Sequence, residues 1–387
     1  QLEQEILPGF IVSQRWFAAK EATIIGLQIV EQEEWRLDGS CCLLSLVRVE
    51  SAAMEPQIYF LPFSIAWGDE MEERINALFP RTIAKVRQRD RLGFLVDAFA
   101  DPVFCQNLIT AIGSSRKIDC AGGTIQCSAT SMFERLGGTE LPGAMVRPPG
   151  TEGSNTTVII GDKLFLKGYR HLREGINPEV EMGRYLTEVA EFQNSVPVAG
   201  AAEYVRDDGV VMTLALLQGF IDNQGDGWTY SVNYLERFLH DKLLLSETEP
   251  HLFTEGMHDS YLTMMTILGR RTGELHTALA MQTGDPAFDP EPITPEDLSA
   301  WTEAVRREAE ISFELLKANL DKLPESLRTD GEALLSKQHE IFKQLDTLVA
   351  AKINALKTRY HGDFHLGQVL LVENDFYIID FEGEPAR

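Results

Sequence analysis

Oxygen-bearing side chains recur at short spacing near the end of the sequence, in a pattern that suits phosphoryl transfer. Asp363 completes a His-Gly-Asp triplet, Gln368 follows five residues later, and Asp380 ends the apolar stretch after them. Phosphoryl transfer needs a carboxylate that orients the attacking hydroxyl and accepts its proton. Magnesium binds one or two protein oxygens and completes its octahedron with phosphates and water. The pattern therefore predicts Asp363 as the catalytic base, and Gln368 with Asp380 as magnesium ligands.

The stretch between Gln368 and Asp380 is typical of a β-hairpin, with apolar strands at 369–372 and 376–379. Its polar turn is centred on Asn374, so counting outward places residue 368 opposite residue 380. We expect the open end of the hairpin to bring these two side chains together. A His-Gly-Asp triplet alone would mean little, because aspartate is common at turns and strand ends. The combination of roles favours a phosphotransferase site over a structural coincidence.

A lysine for the phosphates of ATP is expected earlier in the chain. Lys167 ends the apolar run 164–167, although a lysine at a strand edge is often only solvated. A helix follows it, and kinases pair such a lysine with a glutamate on a helix. Glu179 and Glu181 compete for this role. Glu181 is preferred, because it precedes the apolar residues 185–186 at helical spacing.

Two further segments are predicted to contact the nucleotide. Ser154 and Asn155 lie in a short turn of small polar residues, which suits backbone and hydroxyl contacts to phosphate. The turn is neither a Walker loop nor a Gly-x-Gly-x-x-Gly loop. The strand that ends near Leu217 is almost continuously apolar, as expected in a buried sheet position. The backbone groups after this strand, around Leu216, Leu217 and Gln218, are expected to hold adenine.

Three regions of the chain differ in their patterns and predict its domains. Residues 1–100 indicate a small α+β cap module, residues 101–217 a nucleotide-holding lobe, and residues 218–387 a mostly helical lobe. The cap contains short apolar strands separated by polar connectors, at 22–30, 41–49 and 58–63. The fold class that follows is α+β.

The middle region shows the order strand, strand, helix, strand. Gly161 and Asp162 form a strong hairpin signal within residues 155–169. The next helix is expected to begin with Asn177 as its N-cap and Pro178 at its first position. This order is the skeleton of a lobe that holds a nucleotide.

Three helices are predicted in the last region. Apolar residues recur at helical spacing over 261–280. A second helix is expected from the N-cap Thr294 to about residue 320. A third is expected over 326–356, with a break near 329–331 where a glycine interrupts the pattern. These segments are expected to be packing helices.

Composition and charge exclude several classes of function. The 387 residues include 59 acidic and 35 basic side chains, a net charge of −24, which disfavours binding to nucleic acid and to anionic membranes. No apolar run is long enough to span a bilayer, and the acidic start is unlike a secretory signal. Five scattered cysteines show no zinc spacing and are expected to be free thiols. A cytoplasmic protein is predicted.

Beyond this chemistry, the chain resembles the maltokinases, a family that makes maltose 1-phosphate. The resemblance is carried by QRWFAAK at 14–20, GRRTGELHTALA at 269–280, HGDFHLGQVLL at 361–371 and DFEGEPAR at 380–387. It implies a bilobal kinase fold similar to that of aminoglycoside phosphotransferases, preceded by an N-terminal cap. It also implies ATP and Mg²⁺ as cofactors, with the roles given above for the three C-terminal side chains.

The resemblance further implies maltose as the acceptor, a supply of maltose 1-phosphate for α-glucan (glycogen) synthesis from trehalose, and possible association with trehalose synthase. Candidate sugar contacts are His365, His276, Arg271 and Glu382, for which core or capping roles remain open. Members of the family continue beyond DFEGEPAR, so the helical lobe is expected to be incomplete here. A kinase for another sugar or an aminoglycoside-like acceptor, and a non-catalytic module, remain as alternatives.

Overall fold

The computed structural model describes residues 1–17, 23–37, 40–52, 54–68, 78, 81–140, 143–148, 155–248, 258–349 and 353–381. Two of the candidate site residues, Ser154 and Glu382, lie outside these ranges. The predictions made for them are therefore not addressed by the structure.

The first part of the chain forms an antiparallel sheet, as the apolar runs predicted. Its strands are β1 (Ile24–Leu37), β2 (Ser40–Ser51), β3 (Met54–Phe60), β4 (Phe63–Trp67), β5 (Thr82–Gln88) and β6 (Arg91–Asp97), joined at one edge by His171–Leu172. The predicted strand 58–63 is divided in two, because Pro62 lacks the N–H that a continuous ladder needs.

A short helix covers one face of this sheet. Helix α1 (Leu7–Ser13) follows a π-helical turn at Leu2–Ile6 and buries Leu7 and Ile11. They pack with Trp16 and other apolar side chains, namely Phe17, Val47, Val49, Tyr59, Leu61 and Phe63. The QRWF segment therefore supplies part of the core of the cap.

A second antiparallel sheet follows, built from β7 (Lys117–Cys120), β8 (Gly123–Ala129), β9 (Val146–Arg147), β10 (Thr156–Ile160), β11 (Leu164–Gly168), β13 (Val198–Arg206) and β14 (Val211–Gly219). Its strand order is β7-β8-β13-β14-β11-β10-β9, and the intervening β12 (His171–Leu172) is the edge strand of the first sheet. Strands β10 and β11 form the predicted hairpin, and both Gly161 and Asp162 have positive φ in its turn.

Three helices accompany this sheet. Helix α2 (Pro102–Gly113), capped by Asp101, buries Ile109 and Ile112 in the same core as the sheet, and the short α3 spans Met132–Arg135. Helix α4 (Pro178–Arg184) begins as predicted: Oδ1 of Asn177 accepts hydrogen bonds from the backbone N–H groups of Glu179 and Val180. It continues as a π-helical segment over Tyr185–Val189.

Helices α5 (Gly227–Thr248) and α6 (Asp259–Leu279) follow, the latter close to the predicted 261–280. Residues up to 278 form one compact unit together with those from 361 onward, and residues 279–360 form another. The predicted domains 1–100, 101–217 and 218–387 stay a prediction. None of the described helices has the length and apolar character that crossing a membrane requires.

The unit 279–360 contains helices α7 (Pro295–Asn319), α8 (Glu325–Ser336) and α9 (Gln338–Val349), and the paired strands β15 (Glu291–Pro292) and β16 (Leu356–Lys357). Thr294 caps α7 in a capping box with Asp297, as its position predicted. The break predicted near 329–331 is instead at Lys337. Helix α8 runs through Gly331, and the absence of a side chain there admits the close approach of Leu320.

The chain then forms the predicted C-terminal hairpin from β17 (Val369–Val372) and β18 (Asp375–Ile378). Its register pairs Val369 with Ile378, so the turn is the two residues 373–374 and is not centred on Asn374. Glu373 has φ 55°, as such tight turns require. Residue 368 therefore lies opposite 379, whose N–H donates to the carbonyl of residue 368. The predicted register was wrong by one residue.

Candidate active site

The open end of the C-terminal hairpin brings Gln368 and Asp380 together despite the shifted register. Nε2 of Gln368 donates to Oδ2 of Asp380 at 3.0 Å. Asp380 has φ 65°, a left-handed conformation that aspartate adopts more readily than most residues. The backbone thus leaves the strand at Asp380. The two side chains meet as predicted, but through the left-handed backbone at Asp380 and not through direct cross-strand pairing.

The hairpin is held by backbone bonds to two other segments. The N–H of Ile378 donates to the carbonyl of Asn194, and the amide of Asn194 donates to the carbonyl of Phe376. On the other strand, the N–H of Leu371 donates to the carbonyl of Gly225, and the N–H of Gln224 donates back to Leu371. These bonds fix the position of β17 and β18 against the loops that follow α4 and β14.

His361 ties the loop that carries Asp363 to the end of β18. The buried ring contacts the carbonyl of Ile379 at 2.8 Å through Nε2, so Nε2 carries the proton and donates. Nδ1 then accepts from the backbone N–H of Asp363 at 3.4 Å. Burial lowers the pKa of His361, which favours this neutral tautomer. This role of His361 was not predicted from the sequence, although a histidine two residues before the expected base was a usable signal.

Asp363 itself lies on the exposed side of this loop, with its side chain 46% accessible. Nε2 of His365 lies 3.7 Å from Oδ2 of Asp363, while Nδ1 of His365 accepts from the N–H of Gly367. The structure thus places His365 next to the predicted base. A side chain that contacts the acceptor is expected at such a position. Gly362, with φ 93°, provides the turn between His361 and Asp363.

Lys167 lies between two carboxylates from distant parts of the chain. Its Nζ is 2.6 Å from Oε2 of Glu179 and 3.4 Å from Oδ1 of Asp380. The side chains of Lys167 and Glu179 are 11% and 4% accessible. The hydroxyl of Tyr169, a residue missed in the sequence, also donates to Oε2 of Glu179. The site therefore joins the lysine of the second sheet to the hairpin.

The preference for Glu181 as the partner of Lys167 was wrong, and the alternative Glu179 takes this place. Successive residues turn by about 100° around a helix, so side chains two positions apart point in nearly opposite directions. Glu179 is on the face of α4 that is directed toward β11 and is buried there, whereas Glu181 is only partly buried. Which residues of α4 face β11 follows from the start of the helix at Asn177.

A cavity of about 290 Å³ opens beside Lys167. Its described lining includes Thr157, Phe165, Lys167, Glu179, Val196, Gln218, Gly219, Phe220, Ile221, Asn223, Leu370, Ile378, Ile379, Asp380 and Phe381. The lining is mostly apolar, with charged groups at Lys167, Glu179 and Asp380. Such a cavity suits a nucleotide, with its flat base against the apolar lining and its phosphates directed to the charged end.

The segment that was expected to hold adenine, around Leu217 and Gln218, borders the cavity only in part. Leu217 is fully buried, and its backbone is in the sheet ladder between Leu166 and Gly200. The strand continues to Gly219, and Gln218, which belongs to the same expected segment, lines the cavity. Asn155 does not line this cavity either; it lines a second one, next to the cap.

Two candidate sugar contacts are on helix α6. Arg271 forms a double salt bridge with Asp375, with N–O distances of 2.9 and 2.7 Å, and a third contact with Glu274. These carboxylates raise the pKa of Arg271, and Arg271 lowers the pKa of Asp375. Asp375 is at the turn end of the hairpin, whereas Asp380 is at its open end. The structure therefore gives Arg271 a structural role at the turn. His276 is exposed and does not line the cavity beside Lys167.

The residues of the site fit a magnesium ion. Asp380 has carboxylate oxygens and Gln368 an amide oxygen, the hard ligands that this ion prefers, although in the structure it is the amide nitrogen of Gln368 that faces Asp380. Among the described residues no group of three or more His, Cys, Asp or Glu side chains is arranged to hold a metal. With two protein ligands, phosphate and water oxygens would complete the coordination.

Known proteins are similar to parts of this chain. Residues 10–101 match the family model of the maltokinase N-terminal cap domain. A glucosamine kinase of Mycolicibacterium smegmatis is 25% identical over 240 residues, covering 62% of this chain and 52% of that protein. A glucosamine kinase of Streptacidiphilus jiangxiensis is 26% identical over 177 residues, covering 45% and 33%. The match thus spans about half the length of the first curated relative.

Solved structures show the same fold. A glucosamine kinase in complex with glucosamine, ADP and inorganic phosphate superposes with a TM-score of 0.59 and 19% identity, covering 98% of this chain and 73% of that one. A second crystal form of glucosamine kinase gives a TM-score of 0.58. The chain therefore has the kinase fold similar to that of aminoglycoside phosphotransferases, with an N-terminal cap. Within the chain, the N-terminal region is similar to the maltokinase N-terminal cap domain. The predicted fold class and resemblance are confirmed.

Proposed function

We propose that this protein is an ATP-dependent sugar kinase. The observation that carries the proposal is the contact of Lys167 Nζ with both Glu179 and Asp380, beside a mostly apolar cavity. A lysine paired with a helical glutamate and placed next to a metal-binding aspartate is the arrangement that positions nucleotide phosphates in kinases. The fold and the relatives support this class of activity.

Each side chain has a distinct part in the proposed reaction. Lys167, oriented by Glu179, contacts the phosphates of ATP. Asp363 accepts the proton of the sugar hydroxyl as its oxygen forms a bond to the γ-phosphorus. The bond between that phosphorus and the oxygen bridging to the β-phosphate breaks, and ADP leaves with the electron pair. The neutral His361 holds the backbone of Asp363 at the end of β18.

Asp380 and Gln368 would hold Mg²⁺, which neutralises charge on the phosphates. In the structure Asp380 already contacts Lys167, so both positive groups would converge on the same phosphate chain. The cavity wall from Gln218 to Ile221 would cover the base.

For the acceptor we propose maltose, phosphorylated on its anomeric hydroxyl to maltose 1-phosphate. The maltokinase type of the cap supports this choice. Glucosamine is the second candidate, because the curated relatives are named glucosamine kinases. A role in α-glucan synthesis and an association with trehalose synthase belong to the maltose proposal.

A panel of acceptors separates these candidates. The protein is incubated with ATP, Mg²⁺ and either maltose, glucosamine or an aminoglycoside, and ADP release is measured. Turnover with maltose well above the other two supports the proposal. Turnover with glucosamine alone supports the second candidate. No ADP release above the Asp363→Asn background with any sugar would favour a non-catalytic module.

A further inference from the structure

Tyr169 lies beside Lys167 but has no part in the phosphoryl transfer proposed above. Its hydroxyl donates to Oε2 of Glu179 at 2.5 Å, and Nζ of Lys167 is 2.6 Å from the same oxygen. Nζ also lies 5.5 Å from the centre of the Tyr169 ring, within the range of a cation–π contact. One carboxylate oxygen of Glu179 therefore receives a charged donor and a neutral one.

The alternation of side chains along β11 places the tyrosine on the same side as the lysine. Residues 167 and 169 are two positions apart in extended backbone, so their side chains point the same way. A side chain at Gly168 would point the other way, into the ring of Phe99. The backbone N–H of Tyr169 donates to the carbonyl of Leu214 at 3.0 Å, and Tyr169 is only 7% accessible. The tyrosine is thus a fixed part of the core of this lobe.

Glu179 is a buried carboxylate that depends on its donors. Its side chain is 4% accessible, and it is the second residue of α4, whose start is set by the N-cap Asn177. A buried carboxylate is stable as an anion only when hydrogen bonds and an opposite charge replace the water it has lost. The contact with the Tyr169 hydroxyl is in the range of charge-assisted O–H···O⁻ bonds, about 2.5–2.7 Å. Tyr169 therefore stabilises and orients this carboxylate.

The orientation of Glu179 matters because Lys167 has two carboxylates within reach. Its Nζ is 2.6 Å from Oε2 of Glu179 and 3.4 Å from Oδ1 of Asp380. A glutamate side chain has several rotatable bonds and loses much rotamer freedom when it is fixed. A hydroxyl that fixes Glu179 before the nucleotide arrives reduces the ordering that binding would otherwise require.

We propose that Tyr169 is a positioning residue of the nucleotide site: its hydroxyl fixes Glu179, and Glu179 in turn places Lys167 against the phosphates of ATP. This inference rests on the proposed kinase function and adds a third residue to its lysine–glutamate pair. Tyr169 is not among the described residues that line the nucleotide cavity. It therefore acts through Glu179 and not by touching the nucleotide.

Tyr169→Phe tests this role, because it removes the hydroxyl and keeps the ring. The matched control is Tyr204→Phe. Tyr204 is a buried tyrosine of β13 whose hydroxyl also donates to a glutamate, Glu31, at 3.0 Å, and it too is absent from the described lining of the nucleotide cavity. The KM for ATP, the KM for the sugar and kcat are measured with a sugar that the wild type phosphorylates. Calorimetry gives the Kd of a non-hydrolysable ATP analogue, and thermal melting reports on folding.

The KM for ATP and the Kd of the analogue should rise at least about threefold in Tyr169→Phe, because hydrogen bonds to charged groups are among the stronger ones. The KM for the sugar should not change, and Tyr204→Phe should keep the wild-type values of all three constants. Loss of stability alone would lower the active fraction and the apparent kcat without changing either KM. A rise confined to ATP therefore separates a positioning role from a structural one.

A double-mutant cycle tests whether the effect passes through Glu179. In the Glu179→Gln background, Tyr169→Phe should change the KM for ATP by less than about twofold further, because residues that act through one another are not additive. A full additional rise would show that Tyr169 acts independently of Glu179 and would overturn the inference. If Tyr169→Phe does not fold, the comparison of Glu179→Gln with the double variant decides the question in the same way, since both lack the buried charge.

Two further outcomes separate this inference from the function on which it rests. An active wild type together with wild-type KM and Kd values in Tyr169→Phe would overturn the positioning role and leave the kinase function intact. A wild type that neither binds the ATP analogue nor releases ADP with any sugar would overturn the proposed function, and the positioning role with it.

Discussion

The side-chain amide of Gln368 donates to Oδ2 of Asp380 at 3.0 Å, although the hairpin register places Gln368 opposite Ile379. The left-handed backbone of Asp380 makes this diagonal contact possible, since it turns the chain out of the strand. Oδ1 of the same carboxylate is 3.4 Å from Nζ of Lys167. One aspartate therefore joins the hairpin to the lysine of the second sheet.

We expect Asp380→Asn to lower kcat by at least about 100-fold, as removal of a group that stabilises transition-state charge does. The amide is nearly isosteric and keeps one oxygen, so the thermal melting temperature should change little. Turnover is measured as a function of Mg²⁺ concentration, and the variant should need more of the ion. Gln344→Ala, an exposed change on α9, is the control for handling and folding. Unaltered Mg²⁺ dependence in Asp380→Asn would exclude this residue as a ligand.

Glu179→Gln and Glu181→Gln form a matched pair on the same helix. The Glu179 change removes the buried negative partner of Lys167, so the KM for ATP should rise at least about tenfold, given that loss of a buried charge partner costs 2–5 kcal/mol. Glu181→Gln should stay within about threefold of wild type, since exposed or half-exposed charges contribute little. Steady-state kinetics at saturating sugar measure both values. A larger effect from Glu181→Gln would restore the preference that the sequence suggested.

His361 makes stability depend on pH. Its pKa is lowered in the folded protein from an ordinary value of 6.5. As the pH falls, the unfolded chain therefore binds a proton at His361 before the folded protein does. The contribution of His361 is complete above pH 6.5 and is lost as the pH falls from 6.5 toward the lowered pKa. The free energy of unfolding, measured in denaturant between pH 8 and 5, should therefore decrease below pH 6.5.

In His361→Gln this pH dependence should be smaller, while His365→Gln, at an exposed position, should keep the wild-type profile. An identical profile in His361→Gln would show that other groups cause the decrease. Because His361 positions the backbone of Asp363, the same variant should lower kcat more than it changes the KM for ATP.

Arg271→Ala tests whether this arginine is a sugar contact or a structural tether. Loss of its double salt bridge with Asp375 should destabilise the fold by about 1–3 kcal/mol, the usual range for hydrogen bonds to charged groups. The KM for the sugar should not change. Arg270→Ala, exposed on the same helix, should leave both stability and KM unaltered. A large rise in the sugar KM without loss of stability would make Arg271 a substrate residue.

Local chemistry made much of the fold predictable. The turn at Gly161 and Asp162, the cap at Asn177 and the capping box at Thr294 all depend on residues within a few positions of each other. The C-terminal hairpin and its three oxygen-bearing side chains were likewise visible in the order of apolar and polar residues. These features follow from sterics and hydrogen bonding that act along the chain.

The structure alone decided which groups meet across the chain. Lys167 and Asp380 are 213 positions apart, and Arg271 and Asp375 are 104 apart, so no local rule connects them. The choice of Glu179 over Glu181 depends on the face of α4 that is turned toward β11. Asn155 lines the cavity next to the cap and not the one beside Lys167, although Thr157 of the adjoining strand β10 lines both. Sequence thus determined which side chains were available for chemistry, and tertiary packing determined their partners, because partner choice depends on contacts between distant segments.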